Sequence, residues 1–466
     1  MMATDLRGTR VTVVGLGIEG MALTPYLVQQ GAIVTISDQR TEAQLAANLA
    51  PLAGLPVRLA LGGNRPEDCA TADLLFVSQG VPLDSPAIAA ARRAGVPLRS
   101  ATQLFMERCP APILGITGSA GKTTTTAITG RMLAAGGLTV EVGGNNGRIL
   151  LDRLDALTPR HWVVLEMSHT QLELTDRSPH IAVVTNISPS HADRYPDMAG
   201  YVALKERIFA YQSAGDTLVL NWDDPATRAM AAKARGNVAW FSLHERPAGN
   251  GAYLDGDRIV LAAGGGTLPV MPRSAIRLMG EHNVANVLAA CTAAAAAGVA
   301  PAAMAAAVHD FTGVEHRLEW VRTLDGVDYY NDSIATTPER VVAGLRCFDR
   351  PVVLLAGGRE KHLPLEPWIA EVRQRCAAVT CFGEAGPYLH DALQAGWRGR
   401  GPLTLQATVD QAVAAAQAAA QPGDVILLSP ACTSFDAYPN FEARGRHFKS
   451  VVLALAARSA TSSRAG

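Results

Sequence analysis

The chain has 466 residues, 48% of them apolar, and a formal net charge of −1. That length accommodates about three domains, and balanced charge without a long basic run excludes the usual signatures of nucleic-acid or anionic-membrane binding. Its seven cysteines are odd in number and scattered, with no C-x-x-C pair, so neither a disulfide framework nor a cysteine zinc site is predicted and a reducing cytosol is expected.

The N-terminus is polar, and no signal peptide is expected there. Residues 10–14 form a short β-rich run, followed by Gly15-Leu16-Gly17-Ile18-Glu19-Gly20, an apolar helical pattern and a second strand over 33–38. This is a G-x-G-x-x-G turn between strand and helix, with an acid, Asp38, about 20 residues on. Taken alone it points to a dinucleotide enzyme, although the same turn accepts other nucleotide diphosphates. Asp38 and Arg40 stand where a base, ribose or pyrophosphate can be reached. Strand 74–78 and the turn from Gly80 follow, and Cys109-Pro110-Ala111-Pro112 reads as a linker, since proline stops regular structure.

A second α/β segment opens at Ile113 with Leu114-Gly115-Ile116-Thr117-Gly118-Ser119-Ala120-Gly121-Lys122-Thr123-Thr124, an apolar strand, a glycine turn and a helix start. Gly118, Ala120 and Gly121 let the backbone fold round an anion, with N–H groups and the helix N-terminus aimed at phosphates. Lys122 can reach the terminal phosphates and Thr123 can hold magnesium. The first glycine of the usual phosphate loop would fall at Ile116; here glycine stands at 115 and 118. Strands are predicted over 139–142, 162–166, 183–187, 217–221 and 238–242, with a helix over 198–211. The turn 143–147 can bring Asn145 near the phosphates. Two short helices, not a membrane span, are predicted within 287–308, which is alanine-rich and broken by Gly298 and Pro301.

Alternating strands and helices imply a mainly parallel sheet with ligands at the strands' C-terminal ends, where Glu166, Asn186 and His191 lie. Glu166 is a hard oxygen ligand of the kind magnesium takes. His191 reads equally as a metal ligand or as a loop hydrogen-bonding group. Lys205 reads, from its helix alone, as a solvated lysine. A third α/β segment starts near Gly313, with strands over 327–331, 352–356, 378–382 and 425–428. The fold class is therefore α/β with three domains: Rossmann-like over 1–109, a central P-loop ATPase-like domain with a mainly parallel sheet over 110–313, and Rossmann-like again over 314–466.

The ordered blocks resemble the Mur ligase family along essentially the whole chain, most nearly its D-glutamate-adding branch. They are Thr117 to Thr123, Leu165-Glu166-Met167-Ser168 with Gln171, Asn186 to Pro196, Gly280 to Asn286, Glu315 to Glu319, Asn331-Asp332-Ser333, and Ser429 to Gly445. The resemblance implies ATP and magnesium, with two ions, as cofactors. It implies UDP-N-acetylmuramoyl-L-alanine (UDP-MurNAc-L-alanine) and glutamate as substrates, joined through an acyl phosphate by a monomer. Gly118, Ser119, Ala120, Gly121, Lys122, Thr123, Thr124, Asn286, Arg317 and Asp332 are implied to bind ATP. Thr123, Glu166, His191 and a carbamylated Lys205 are implied to hold magnesium, and Lys122, His191 and Lys205 to serve catalysis. Gly17, Ile18, Glu19, Asp38, Gln39, Arg40, Gly80, Asn145 and Gln171 are implied to take the UDP substrate, and Lys361, Ser434 and Phe441 the glutamate. Ile334 stands where that branch often has lysine, Arg359-Glu360 replaces Asp-Gly, and His169-Thr170 replaces Ser-Phe. L-glutamate or another amino acid therefore stays open as substrate, and an NAD-dependent dehydrogenase is the rival of another class.

Overall fold

The computed structural model describes residues 5–145, 147–188, 197–278, 280–361 and 363–457. The β-rich runs assemble into three separate sheets. The first joins β1 (Arg10–Val14), β2 (Ile33–Asp38), β3 (Val57–Leu61), β4 (Leu74–Val77) and β5 (Leu98–Arg99) in the order β3-β2-β1-β4-β5, all parallel. The order reverses between β1 and β4, so the turns that leave these strands flank a crevice.

The second sheet contains β6 (Ile113–Thr117), β7 (Thr139–Gly144), β8 (His161–Glu166), β9 (Ile181–Val184), β10 (Thr217–Asn221), β11 (Asn237–Ser242), β12 (Asn250–Asp255), β13 (Arg258–Ala263) and β14 (Gly266–Pro272). Its order is β14-β13-β12-β11-β10-β9-β6-β8-β7. β6 is buried along its whole length between β9 and β8, in registers that pair Ile116 with both Glu166 and Val183. The third sheet contains β15 (Glu319–Leu324), β16 (Val327–Asn331), β17 (Val352–Gly357), β18 (Cys376–Phe382), β19 (Leu403–Gln406) and β20 (Val425–Ala431), ordered β15-β16-β20-β17-β18-β19 with only the β15–β16 pair antiparallel.

The chain divides into two compact units, Met1–Arg277 with Glu281–Phe311, and Leu278–Gly280 with Thr312–Gly466. In the first, one apolar cluster runs from Val13, Leu27 and Phe105 to Val163, Leu165 and Leu220, so the first two sheets share a core. In the second, Leu354 and Leu427 pack in one cluster with Trp368, while their neighbours Leu355 and Leu428 pack in another with Phe448. That alternation is the strand period of two, with apolar cover on both faces of the sheet.

The predicted helices within 287–308 are present as Glu281–Ala296 and Pro301–His309, and no helix among the described residues is long and apolar enough to cross a membrane. Six strands went unread. β3, β15 and β19 are short edge strands with part of their length in solvent, where hydrophobic patterning is weak. The antiparallel β12-β13-β14 meander was announced by Gly256 and by Gly264-Gly265, all at positive φ, between apolar runs. The predicted helix 198–211 is regular only over Met198–Glu206; beyond it the backbone tightens into three-residue turns, Ile208 N donating to Lys205 O and Phe209 N to Glu206 O.

Candidate active site

The phosphate-loop segment leaves β6 at Thr117 and enters the helix Lys122–Ala135. Gly118 has φ 146° and would place a Cβ 1.9 Å from Thr185 Oγ1; Gly121 has φ 81° and would place one 2.2 Å from Asn286 Oδ1. Only glycine fits both positions. Asn186 holds the loop from β9's end: its carbonyl accepts from Ser119 N and its Oδ1 from Ala120 N, each at 2.9 Å. Thr185 Oγ1 donates to Ala120 O at 2.6 Å. Lys122 Nζ lies across the loop, donating to Gly118 O at 2.9 Å and Ser119 O at 3.1 Å. Asn286 stands beside the loop, its Oδ1 accepting from Thr125 Oγ1 at 3.3 Å.

Lys205 is not the solvated lysine its helix suggested. It is wholly buried, and its Nζ donates to Thr117 Oγ1 at 3.0 Å and Gly118 O at 3.1 Å, directly beneath the loop. Burial, helped by the nearby Lys122 charge, pulls its pKa down to about 7. Glu166, at the end of β8, is also buried. Its Oε1 accepts from Asn145 Nδ2 at 3.0 Å, while Oε2 has no hydrogen-bond partner among the described residues. A buried carboxylate oxygen without a donor, beside a phosphate loop, fits a hard divalent cation. Thr123 opens the helix one residue after Lys122 and is half-buried. His191 lies outside the described residues.

At the first sheet, Gly20 is required because a Cβ there would lie 2.3 Å from Gly15 O. Gly17 and the 67%-exposed Ile18 form the tip of the turn, and Gln39 and Gly80 are exposed. Asp38 accepts from Leu16 N at 2.7 Å and pairs with Arg40 at 2.9 Å. Although burial alone would raise its carboxyl, the Arg40 bonds and the Leu16 N–H hold it below the usual range. Glu19 points inward, taken up by Gln79 N and Nε2 at 3.0 and 2.9 Å. Gln79 Oε1 in turn accepts from Ser168 Oγ and Thr170 Oγ1, so it ties the first sheet's turn to the helix His169–Glu173. Gln171 completes the capping box of that helix with Ser168. Gln79 was not singled out in the sequence; nothing local marks it.

The second unit gathers the ends of β16, β17 and β20. Arg359 and Thr433 exchange backbone hydrogen bonds at 2.9 Å, which sets Lys361 and Ser434 on adjoining loops. Lys361 Nζ donates to Thr336 Oγ1 at 3.3 Å. Phe441 packs edge-on to His316 and its carbonyl accepts from Ser333 Oγ at 2.8 Å. Asp332 accepts from Ser429 Oγ at 2.8 Å and Leu318 N at 3.2 Å, yet burial pushes its pKa up to about 7. Arg317 adjoins it, with a buried Nε that lacks a partner among the described residues. Arg444 organises these loops. Wholly buried, it donates to Ser333 Oγ and O, Gly357 O, Cys432 O and Thr433 O. Sequence reading placed Arg444 in a motif without seeing this role, because its five acceptors come from three separate strand ends. Of the proposed ATP residues, the loop and Asn286 belong to the first unit and Arg317 and Asp332 to the second.

A glycine loop held at a parallel strand's end, over a buried lysine and a carboxylate with one open oxygen, defines a P-loop nucleotide-binding enzyme. Three family models match in order: the MurD-like N-terminal domain of Mur ligases over residues 9–100, the Mur ligase middle domain over 116–294 and the Mur ligase glutamate ligase domain over 316–432. The chain belongs to the Mur ligase family. A relative from Symbiobacterium thermophilum named UDP-N-acetylmuramoylalanine--D-glutamate ligase is 47% identical, over 96% of this chain and 98% of its own. One of the same name from Clostridium novyi is 40% identical, over 96% and 97%. The fold is similar to UDP-N-acetylmuramate-alanine ligase from Thermotoga maritima, with a TM-score of 0.58 at 19% identity over 96% of this chain and 99% of that one.

Proposed function

We propose that this chain adds D-glutamate to UDP-MurNAc-L-alanine at the expense of ATP, a step in building a peptidoglycan precursor. The observation that carries this reading is that likeness to the D-glutamate ligases runs the length of the chain, through all three sheets and not the phosphate loop alone. We assign residues 1–109 to the UDP end of the substrate, 110–313 to ATP and 314–466 to glutamate, in a cytoplasmic monomer. Seven free cysteines suit that compartment.

The γ-phosphoryl group passes to the substrate carboxylate: a carboxylate oxygen–phosphorus bond forms, the bridging bond to the β-phosphate breaks, and ADP leaves. The glutamate amine then attacks the acyl carbon, loses a proton, and the tetrahedral intermediate expels phosphate. Lys122 neutralises charge on the transferred group. Magnesium, when bound, screens the crowded phosphates, and Thr123, Glu166, His191 and Lys205 would hold two ions. Lys205 serves as an ammonium for neither. Its low pKa supplies the neutral amine that adds to carbon dioxide, forming a nitrogen–carbon bond and releasing a proton, and the carbamate is an anionic oxygen ligand. Lys361, Ser434 and Phe441 receive glutamate, with Lys361 on its side-chain carboxylate.

A dehydrogenase reading has less to stand on. The Asp38 carboxylate is already engaged by the Leu16 N–H and by Arg40 rather than left open to a ribose hydroxyl, and Arg40 adds a cation suited to phosphate. The deciding assay is phosphate release from ATP, with D-glutamate, L-glutamate and D-lysine compared. Release that requires both UDP-MurNAc-L-alanine and D-glutamate is expected; a preference for either other amino acid refutes the assignment.

A further inference from the structure

We propose that Arg340 is a substrate-binding residue, holding one carboxylate of the incoming amino acid while Lys361 holds the other. This deepens the functional reading above and rests on it. The residues between β16 and the helix Pro338–Leu345 form a pinned segment. Ile334 N donates to His316 O, Thr336 N to Ile334 O at 2.8 Å, and Ala431 N to Ala335 O at 2.9 Å.

Two cations lean on this one segment: Arg340 Nη1 donates to Ile334 O at 3.1 Å, and Lys361 Nζ to Thr336 Oγ1 at 3.3 Å. Each bond uses one donor, of five N–H on a guanidinium and three on an ammonium. Among the described residues no carboxylate forms an ion pair with Arg340, Lys361 or Arg317, whereas Arg346, Arg350, Arg359, Arg375 and Arg400 of the same unit each have one. The charges of Arg317 and Lys361 are both felt with that of Arg340, and the adjoining carboxylate, Asp332, is buried with Ser429 and Leu318 already donating to it.

A cluster of like charges without counter-ions repels itself and attracts an anionic ligand. Ile334 brings no charge to the segment, and the cation that leans on its carbonyl, beside Lys361 on Thr336, is Arg340. A dicarboxylic amino acid brings two anions to two cations, and a guanidinium fork matches a carboxylate.

The test is steady-state phosphate release by wild type, Arg340→Gln and Arg340→Lys, varying D-glutamate, ATP and UDP-MurNAc-L-alanine separately. Arg340→Gln is expected to raise the D-glutamate KM about 10- to 100-fold, the usual range for one charge-assisted hydrogen bond, with the other two KM values held within about twofold. Arg340→Lys is expected to recover part of the loss, and thermal melting of both variants to match wild type because the side chain is exposed. An unchanged glutamate KM overturns the proposal, and a parallel rise in the ATP KM overturns it in favour of a phosphoryl group as the anion. Wild type that fails to release phosphate with D-glutamate sinks the functional reading itself, whereas active wild type with an indifferent Arg340→Gln sinks only the role of Arg340.

Discussion

Lys205 shows how far one residue's chemistry departs from its local sequence. Lysine on an amphipathic helix is ordinarily solvated, and here burial and Lys122 bring its pKa from 10.5 to about 7. Between about pH 7 and 10.5 the unfolded chain carries a proton on this amine that the folded chain does not, so the fold loses stability as pH falls across that window, and below about 7 the full cost of the buried ammonium is present. Carbamate formation needs the neutral amine, so activity should fall below about pH 7, and carbon dioxide depletion should lower it. Lys205→Ala should abolish turnover, and acetate should restore part of it by filling the vacated anionic position. Failure of acetate to rescue, with the variant folded, would count against the carbamate. Arg359, a departure from the glutamate-adding pattern, pairs at 2.8 Å with Glu384, so its charge is neutralised.

Among the elements, the loops after β16, β17 and β20 stay together through Arg444. Among the described residues no carboxylate forms an ion pair with its guanidinium; burial lowers its pKa to about 10, and five carbonyl and hydroxyl oxygens take its donors. A buried acceptor stripped of its donor costs about 1–3 kcal/mol. Arg444→Met should therefore destabilise the second unit by at least about 3 kcal/mol in urea unfolding, and should raise the D-glutamate KM in whatever fraction stays folded. A loss under about 1 kcal/mol would mean that backbone pairing between Arg359 and Thr433 suffices. The adjacent Gly445 belongs to the same construction, since a Cβ there would lie 2.2 Å from His316 Nδ1.

Across the whole molecule, we assign the two glycine turns, which lie on two sheets, to two nucleotides. The first turn, with Arg40 beside it, is assigned to UDP and the second to ATP. Calorimetry should show UDP binding that survives Lys122→Ala, because Lys122 belongs to the other loop, and NAD should bind more weakly than UDP. Tighter NAD binding would overturn the assignment.

The sequence by itself determined the α/β class, the strand carrying Glu166 and the phosphate-loop helix over Lys122–Ala135, because glycine spacing and alternating apolar runs are local signals that later packing has no reason to override. It left β3, β15 and β19 unread, since short, partly exposed edge strands take their stability from neighbours, and it left the β12–β14 meander unread although glycine turns separate its apolar runs. Tertiary structure alone decided the burial of Lys205, the open oxygen of Glu166, the grip of Asn186 on the phosphate loop and the convergence on Arg444. Each joins residues separated in the chain by anything from a dozen to more than a hundred positions, and a buried charge or unpaired oxygen is defined only by what the fold places around it.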